Sequence, residues 1–479
     1  MKRTVAPPAT VGPSDEADRI DPQLVRIGLV LVLGAVLAQL DTTIVSVGVA
    51  SMADGLHTSL TAIQWVSTGY LLAVALVAPL SGWLIQRFGG KRVWLASVAL
   101  FIGASALSGL AWSAGSLIAF RLLQGLGGGL MQPIGQAVVA RIAGPRRIGR
   151  LVGIITMPVS LAPILGPVVG GLVVHAAGWR WLFYLNVPIG LAALVLAARM
   201  VPGDDGERQT SLKPDGLGLA LLPPGLAAFV YALGQTEDGS FDPLQTTILF
   251  AGFALLVGYV VHALRTERTP LVDLRLFAGR GFTLASVNTF LLGAALYSSM
   301  LLLPLYFMQA RGMGAFEAAL MLAPQALGTA VATLPAGRVT DTYGPRAVAV
   351  VGILLTLAGT VPFILSGSGP DTVLLVVALF VRGVGFGVIT PPNVAATYTS
   401  VQRSQVPAAT SARTVLNRIG GSIGTAVLAV VLQSALADAR PGQQGVRDAY
   451  AQTFWWALVF GALTLVPALL YPRRAPGRG

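Results

Sequence analysis

Long apolar runs, separated by short polar segments, fill the chain from about residue 27 to residue 471. Most runs approach the ~20 residues that a helix needs to cross the hydrocarbon of a bilayer. None alternates apolar and polar residues as a membrane β-strand does. The pattern predicts an all-α membrane protein with fourteen spanning helices, at 27–48, 62–85, 93–111, 117–139, 151–174, 182–198, 217–233, 248–261, 282–307, 318–336, 347–365, 372–394, 414–436 and 454–471.

The spacing of the runs divides the chain into two six-helix halves with a shorter pair of helices between them. We expect a cytoplasmic N-terminal tail at 1–26, a first half at 27–200, two central helices with flanking loops at 201–280, a second half at 281–472 and a cytoplasmic tail at 473–479. The N-terminal tail is polar and of mixed charge, so it lacks the basic start and apolar core of a cleavable signal peptide. The first span should therefore be retained.

Composition supports a membrane protein. Hydrophobic residues make up 54% of the chain and charged residues 11%, with a mean hydropathy of +0.74, whereas a soluble domain carries roughly 25% charged residues. Cysteine is absent from the sequence. This excludes disulfides, thiolate metal sites and cysteine nucleophiles together.

The net charge is +12, but the basic residues are concentrated in the loops expected on one side of the membrane. No basic stripe is left to bind a nucleic acid. With the N-terminus inside and Arg413 counted with the adjoining helix, the expected cytoplasmic segments hold 24 of the 32 Lys and Arg residues, and the outer loops hold four. This positive-inside bias predicts cytoplasmic termini in the cell inner membrane. The segment between the central helices contains Glu237 and Asp238 without Lys or Arg, so we expect it outside.

Asp41 interrupts the first apolar run, and Arg121 interrupts the fourth at a similar expected depth. An ionised side chain at mid-membrane costs at least ~2.5 to 3.5 kcal/mol, so it marks an ion or proton pathway by default. If conformational change alters the distance between the two, the proton affinity of the carboxylate changes too, which is the requirement for proton coupling. The alternative is that both serve helix packing. Arg382 is a weaker counterpart of Arg121, and Arg413 should snorkel to the interface.

A loop motif occurs twice in the chain. Gly82, Gln86 and Gly89 each have a counterpart 255 positions later, at Gly337, Asp341 and Gly344, which matches span two with span ten and predicts a six-plus-two-plus-six architecture. Internal repeats of this kind are typical of secondary transporters. The gating-loop candidates are Gly82, Arg87, Gly89, Lys91, Arg92, Gly337, Asp341, Gly344 and Arg346.

Further motifs follow in order along the chain. They are Leu40-Asp41-Thr42-Thr43 in span one, Arg121-Leu-Leu-Gln124-Gly125 in span four, Gly166-Pro167-Val-Val-Gly170-Gly171 in span five, and Gly178-Trp179-Arg180-Trp181-Leu-Phe-Tyr-Leu-Asn186 after it. With these motifs the chain resembles the major facilitator superfamily, specifically the fourteen-spanner branch of the drug:proton antiporters, over essentially its full length. Two departures are Gln86, where the family has an acid, and Ala162, where it has Gly.

The resemblance implies a proton-coupled exporter of amphipathic drugs, dyes or antibiotics that works by alternating access and confers antibiotic resistance. It implies no enzymatic activity, no cofactor and no ATP, and Gly166, Pro167, Gly170 and Gly171 look like the antiporter signature. Asp41 and Arg121 are the proton-coupling candidates. Apolar walls with a few polar groups accept many ligand shapes, and the substrate-binding candidates are Tyr70, Gln124, Met131, Asn288, Tyr297, Gln325 and Asn393. Glu317 is the nearest candidate for a second acid.

Two other functions remain open at this point. A proton-coupled uptake symporter for a nutrient uses the same fold, and so does a lipid-handling or receptor-like membrane protein. Few buried polar groups are expected here, which argues against a polyhydroxylated nutrient. Nothing in the sequence fixes the oligomeric state, and a monomer is compatible with it.

Overall fold

The structure is a computed structural model, and it describes residues 22–143, 148–203, 215–234, 242–266, 270–365 and 371–471. Within these ranges the regular secondary structure is helical. A helix satisfies its backbone hydrogen bonds within its own segment, which an apolar run requires inside a bilayer. The expected all-α fold class is confirmed for the described residues.

The first half contains nine helices among its described residues. They are α1 (Pro22–Val47), α2 (Val49–Gly55), α3 (Leu60–Val77), α4 (Ser81–Phe88), α5 (Gly90–Gly109), α6 (Ala114–Ala143), α7 (Ile148–Ala177), α8 (Trp181–Tyr184) and α9 (Asn186–Met200). A single 3-10 turn, Ala78–Leu80, joins α3 to α4.

The central pair and the second half follow. They comprise α10 (Gly216–Gly234), α11 (Pro243–Arg265), α12 (Arg280–Leu305), α13 (Ala315–Met321), α14 (Ala323–Tyr343), α15 (Pro345–Ile364), α16 (Thr372–Thr399), α17 (Val406–Ala437), α18 (Gln443–Leu463) and α19 (Leu465–Leu469). A π-helical turn, Tyr306–Ala310, continues α12 beyond Pro304.

Twelve segments of the described chain are long and apolar enough to cross a membrane. Helices α6 and α7, of 30 residues each, are long enough but are not among the twelve. Helix α6 includes Arg121 and Gln124, whose polar side chains lower its hydropathy.

Several helices begin before the predicted spans. Helix α1 begins at Pro22, five residues before the first predicted span, and α17 begins at Val406 rather than at residue 414. The last span begins at Gln443 rather than at residue 454. An apolar run reports only the part of a helix that lies in hydrocarbon, and polar residues continue these helices beyond it.

The two copies of the loop motif have the same backbone geometry. Gly89 ends α4 with φ +91°, and Gly344 ends α14 with φ +86°. Both angles lie in the region that side chains with a Cβ disfavour, so glycine is required at both turns. Each turn leads directly into the next helix, α5 or α15.

Each half has its own buried core. In the first half Trp94 and Phe101 are fully buried, and a Cβ on Gly34 would lie 2.9 Å from the Trp94 ring. In the second half the ring of Tyr306 lies 5.3 to 5.7 Å from four other aromatic rings, those of Phe307, Phe363, Tyr450 and Phe454. These aromatic contacts hold α12, α15 and α18 together.

The central helices pack on each other and beside the boundary between the halves. A Cβ on Gly252 of α11 would lie 2.8 Å from the backbone nitrogen of Phe229, so α10 and α11 cross closely. Helix α10 also contacts α3 of the first half and α17 of the second. Asp215, before α10, bonds His262 of α11 at 2.7 Å. A side-chain contact thus ties the two helices at one end.

The halves contact each other along α7 and α14. They also meet where α17 packs against α4, towards the end of the bundle that carries the glycine turns Gly89 and Gly344, which we call the seam end. There Ser411 of α17 accepts a hydrogen bond from the backbone N–H of Gly82 at 2.8 Å, and its hydroxyl lies 3.0 Å from that of Ser81. Arg413, two residues after Ser411 in α17, donates a hydrogen bond to the Oε1 of Gln136 in α6. Arg413 therefore bonds across the halves, and the prediction that it snorkels was wrong.

Candidate functional site

The carboxylate of Asp41 is fully buried and accepts three side-chain hydrogen bonds. Arg121 Nη1 lies 2.5 Å from Oδ2. Gln124 Nε2 and Asn186 Nδ2 donate to Oδ1, at 2.9 and 2.7 Å. We call Asp41, Arg121, Gln124, Asn186 and Ser105 the Asp41 cluster.

Four helices build this cluster. Asp41 lies in α1, Ser105 in α5, Arg121 and Gln124 in α6, and Asn186 at the start of α9. The hydroxyl of Ser105 accepts from both amide side chains at 3.1 Å and donates to the Phe183 carbonyl at 2.9 Å. Since Arg121 and Gln124 are three residues apart on one helix, they lie on one face and approach the carboxylate together.

Arg121 makes further contacts besides its ion pair. Its Nε donates to the Val66 carbonyl at 3.2 Å, and Nη1 also donates to Gln124 at 2.8 Å. The guanidinium lies 4.2 Å from the centroid of the Tyr70 ring, a cation–π contact. The expectation that Asp41 and Arg121 can meet agrees with this geometry.

The cluster is arranged to hold an ionised carboxylate without water. Charge-assisted bonds from a guanidinium and two amides replace its hydration. The Asp41 side chain has 0% exposure, so a proton reaches it only if the surrounding helices separate. In the described conformation the arrangement therefore keeps the carboxylate paired and enclosed.

Sequence reasoning missed Asn186 and Ser105 as members of the site. Asn186 stands in the motif after span five, and its position at the start of an apolar helix was a usable signal. Ser105 carried no signal alone, but a hydroxyl residue, Thr360, follows it 255 positions later, at the offset of the repeated loop motif.

Arg382 of α16 is buried in the second half among neutral groups. Its Nε donates to Thr360 at 3.2 Å, Nη1 donates to Gln325 Oε1 at 3.0 Å, and Nη2 donates to the hydroxyl of Ser299. Its guanidinium lies 5.2 Å from the centroid of the Phe386 ring. We call Arg382, Ser299, Gln325 and Thr360 the Arg382 cluster.

The structure does not gather the substrate-binding candidates around one opening. Gln124 and Met131 are fully buried in the first half, and Tyr70 has 2% exposure. Asn288 and Asn393 are buried in the second half, where both bond the hydroxyl of Tyr471.

The two half-buried candidates are Tyr297 and Gln325. Tyr297 packs against Gly421, and the Arg418 guanidinium lies 5.7 Å from its ring centroid. Glu317 is exposed at the N-terminal turn of α13, where its carboxylate accepts from the Gly314 N–H at 3.3 Å, so it lies far from the depth of a coupling acid.

Two glycines of the expected antiporter signature, Gly166 and Gly170, pack against α1. A Cβ on Gly166 would lie 2.6 Å from Cβ of Thr43, and one on Gly170 would lie 3.2 Å from the Ile44 carbonyl. A Cβ on Gly171 would meet nothing within 4 Å. The first two positions thus allow α7 to approach the helix that carries Asp41, two residues from the acid. The side chain of Pro167 is outside the described part.

The gating-loop residues lie at the seam end. Gly82 is buried against α17, and a Cβ there would lie 2.8 Å from the Pro407 carbonyl. Arg87 is half-buried with Nη1 lacking a described partner. Lys91 and Arg92 follow the turn at Gly89, and Arg346 follows the turn at Gly344. Gly337 lies two turns before Gly344 in α14. The side chain of Asp341 falls outside the described residues, as do Glu237 and both termini.

The chain matches the family model described as Major Facilitator Superfamily at residues 31–425 and 285–479. The chain belongs to the major facilitator superfamily. This superfamily comprises transporters rather than enzymes, and the helices of the chain identify it as a multi-pass membrane protein.

Its relatives in the superfamily include named resistance proteins. The chain is 36% identical over 419 residues to the Multidrug resistance protein B homolog of Mycobacterium tuberculosis, covering 87% of this chain and 77% of that protein. It is 32% identical to the Methylenomycin A resistance protein of Streptomyces coelicolor, with 84% and 85% coverage. It is 31% identical to the Tetracenomycin C resistance and export protein of Streptomyces glaucescens, with 86% and 77% coverage.

Solved structures agree on the fold alone. The human organic anion transporter MFSD10 superposes with a TM-score of 0.65 at 17% identity, covering 92% of this chain and all of that one. A double tryptophan mutant of XylE gives 0.65 at 16% identity, with 92% and 94% coverage. At such identity the likeness carries no information on substrate.

Proposed function

We propose that the protein is a proton-coupled antiporter that exports amphipathic drugs, dyes or antibiotics. The observation that carries the proposal is the fully buried Asp41–Arg121 ion pair, found in a chain whose relatives are resistance proteins. Because a buried acid in a membrane helix is costly, it is retained for ion or proton movement. The names of the relatives agree with export and do not favour the uptake or lipid-handling alternatives.

The proposed cycle uses the two states of the Asp41 cluster. In the described conformation the carboxylate of Asp41 pairs with Arg121. When the helices separate on the outer side, a proton neutralises Asp41 and the guanidinium loses its charged partner. The drug leaves in that state, and the protonated cluster returns to face the cytoplasm, where the proton dissociates and a new drug binds. Coupling arises because the pairing differs between the two conformations.

We propose a topology of fourteen spans in a six-plus-two-plus-six arrangement, with both termini in the cytoplasm of the bacterial inner membrane. Besides the twelve apolar segments, α6 and α7 are each long enough at about 45 Å to cross the bilayer. The charge asymmetry supports the orientation. A single cysteine at position 237 should be labelled from outside the cell, and labelling from the cytoplasmic side alone contradicts the span count.

We assign the seam end to the cytoplasmic side, where the basic loop motif belongs. Family members use an acid in the first copy of that motif, and this chain has Gln86. The uncharged hydrogen bonds of Ser411 with Gly82 and Ser81 hold the two halves together at this seam end. Asp341 is the acid that remains in the second copy, so Asp341→Asn should impair transport more than Gln86→Ala.

Reconstitution tests the function directly. Purified protein in liposomes, with an imposed pH gradient, should concentrate a cationic or neutral dye against its gradient, and collapse of the gradient with a protonophore should stop the uptake. ATP in the absence of a gradient should have no effect. Uphill transport of a sugar or amino acid in place of dyes would instead establish the uptake alternative.

A further inference from the structure

The Arg382 cluster contains a positive charge that the protein itself does not neutralise. Arg382 has 4% exposure, and its three hydrogen-bond partners, Ser299, Gln325 and Thr360, are uncharged. Within the ranges that the structure describes, no carboxylate pairs with it. A guanidinium keeps its charge at any physiological pH, and an unpaired buried charge is strongly unfavourable.

The guanidinium also has hydrogen-bonding capacity left over. It offers five N–H groups, and the structure gives it three hydrogen bonds, one each from Nε, Nη1 and Nη2. One N–H on each terminal nitrogen is therefore free. The two terminal nitrogens of a planar guanidinium match the two oxygens of a carboxylate, and each has one N–H left.

The first half shows what is missing in the second. Arg121 and Arg382 each interrupt an apolar helix, and each cluster includes a hydroxyl at the 255-residue offset, Ser105 and Thr360. In the first half α1 supplies the acid Asp41, whereas α12 supplies Ser299 to the corresponding guanidinium. The second cluster is built like the first with its anion removed.

We propose that Arg382 binds a singly charged anion, and that this anion is a carboxylate carried by an exported amphiphile. The ring of Phe386 beside the guanidinium offers apolar contact next to the charge, which suits an amphiphile. Gln325, the half-buried member, gives the cluster its accessible edge. Chloride has the same charge and is the other source of such an anion.

The assignment to a cargo rests on the proposed export function, but its test does not. Binding of dansyl-phenylalanine and of its neutral amide to the purified full chain is measured by fluorescence without a pH gradient. Arg382→Gln should weaken binding of the carboxylate about tenfold to a hundredfold, the range for hydrogen bonds to a charged group. Binding of the amide should change less than about twofold. A failure of proton-driven transport leaves this result untouched.

Chloride titration distinguishes the two sources. Chloride replaces sulfate at constant ionic strength, and the Tm is measured for the wild type and for Arg382→Gln. If chloride raises the Tm of the wild type alone, and Arg382→Gln binds both dansyl probes as tightly as the wild type does, the site is for chloride and not for a carboxylate. Equal affinities of wild type and variant for both probes, with no chloride effect, overturn the anion site and leave Arg382 a structural residue.

A second variant tests the proposal even if Arg382→Gln does not fold. Ser299→Asp supplies an internal carboxylate where the first half has Asp41, so it should retain or raise the Tm and abolish the preference for the carboxylate probe. Ser298→Asp, one position along α12, is the matched control, since Ser298 is equally buried and its hydroxyl has no described partner. It should lower the Tm. Equal destabilisation by the two substitutions contradicts an unneutralised charge at Arg382.

Discussion

The amide of Asn186 donates a hydrogen bond of 2.7 Å to the carboxylate of Asp41, 145 residues earlier in the chain. This bond joins α9 to α1, and with Arg121 and Gln124 it completes the set of donors around the acid. The proposed coupling site is therefore a four-helix assembly rather than an isolated pair. Any movement of α9 relative to α1 changes the stability of the ionised carboxylate.

Replacement of Asp41 by Asn should abolish pH-driven drug accumulation in liposomes. The variant also leaves the Arg121 guanidinium buried without its counter-charge, which should lower the free energy of unfolding by about 3 to 5 kcal/mol. The double variant Asp41→Asn with Arg121→Gln removes both charges, so it should recover much of the Tm without recovering transport. Uphill, proton-driven transport in the double variant would move the coupling site elsewhere.

Replacement of Asn186 by Ala should reduce coupled transport and stability together. The ionised carboxylate loses one donor, a loss of about 1.5 to 3 kcal/mol for a hydrogen bond to a charged group. Ser108→Ala is the matched control, because Ser108 is equally buried and bonds the Ala104 carbonyl of its own helix. Transport and Tm are measured for both variants. If Ser108→Ala costs as much as Asn186→Ala, the Asn186 bond has no special role.

Replacement of Gly82 by Ala should open the seam end. The new Cβ would lie 2.8 Å from the Pro407 carbonyl and 2.7 Å from the Ser411 hydroxyl, so α4 and α17 must separate. The test uses a single cysteine, Ala140→Cys, at a position buried between the halves. If Gly82→Ala lowers the free energy of opening by about 1 kcal/mol, alkylation of that cysteine should become about fivefold faster. Gly103→Ala, where a Cβ meets nothing within 4 Å, is the control. If Gly82→Ala leaves the alkylation rate of the cysteine unchanged, the contact of Gly82 with α17 does not hold the halves together.

The glycines Gly166 and Gly171 should respond differently to Ala. At Gly166 the added carbon overlaps Thr43, which should cost about 1 to 3 kcal/mol and displace the helix that carries Asp41. At Gly171 it meets nothing within 4 Å and should be neutral. Thermal unfolding and drug efflux are compared for the two variants. Similar losses in both would mean that this signature acts through something other than contact with α1.

The apolar pattern sufficed to predict the helices, because the bilayer permits little besides helices in a segment of that length. It could not place their ends, as α17 and α18 show, since polar residues extend a helix beyond the hydrocarbon at no cost. The pairing of Asp41 with Arg121 was predictable because charges are rare at that depth. The donors Asn186 and Ser105 were not, because neutral polar side chains occur at many packed positions.

Substrate-lining residues were the least accessible to sequence reasoning. Polar residues at membrane depth, such as Asn288 and Asn393, can bond one another as well as a ligand, and here they share the hydroxyl of Tyr471. Which of the two occurs depends on side-chain directions across several helices. Those directions are set by the tertiary packing and leave no periodic trace along a single helix.

The complete enclosure of Asp41 bears on how economically a cell can keep such a protein. An acid open to water on both sides would let protons leak inward and dissipate the proton-motive force whether or not a drug were present. Enclosed by Arg121, Gln124 and Asn186, the acid of the proposed coupling site is closed to protons from both sides in the described conformation. A bacterium that meets an antibiotic only occasionally could therefore carry this exporter through generations of unexposed growth without a respiratory burden.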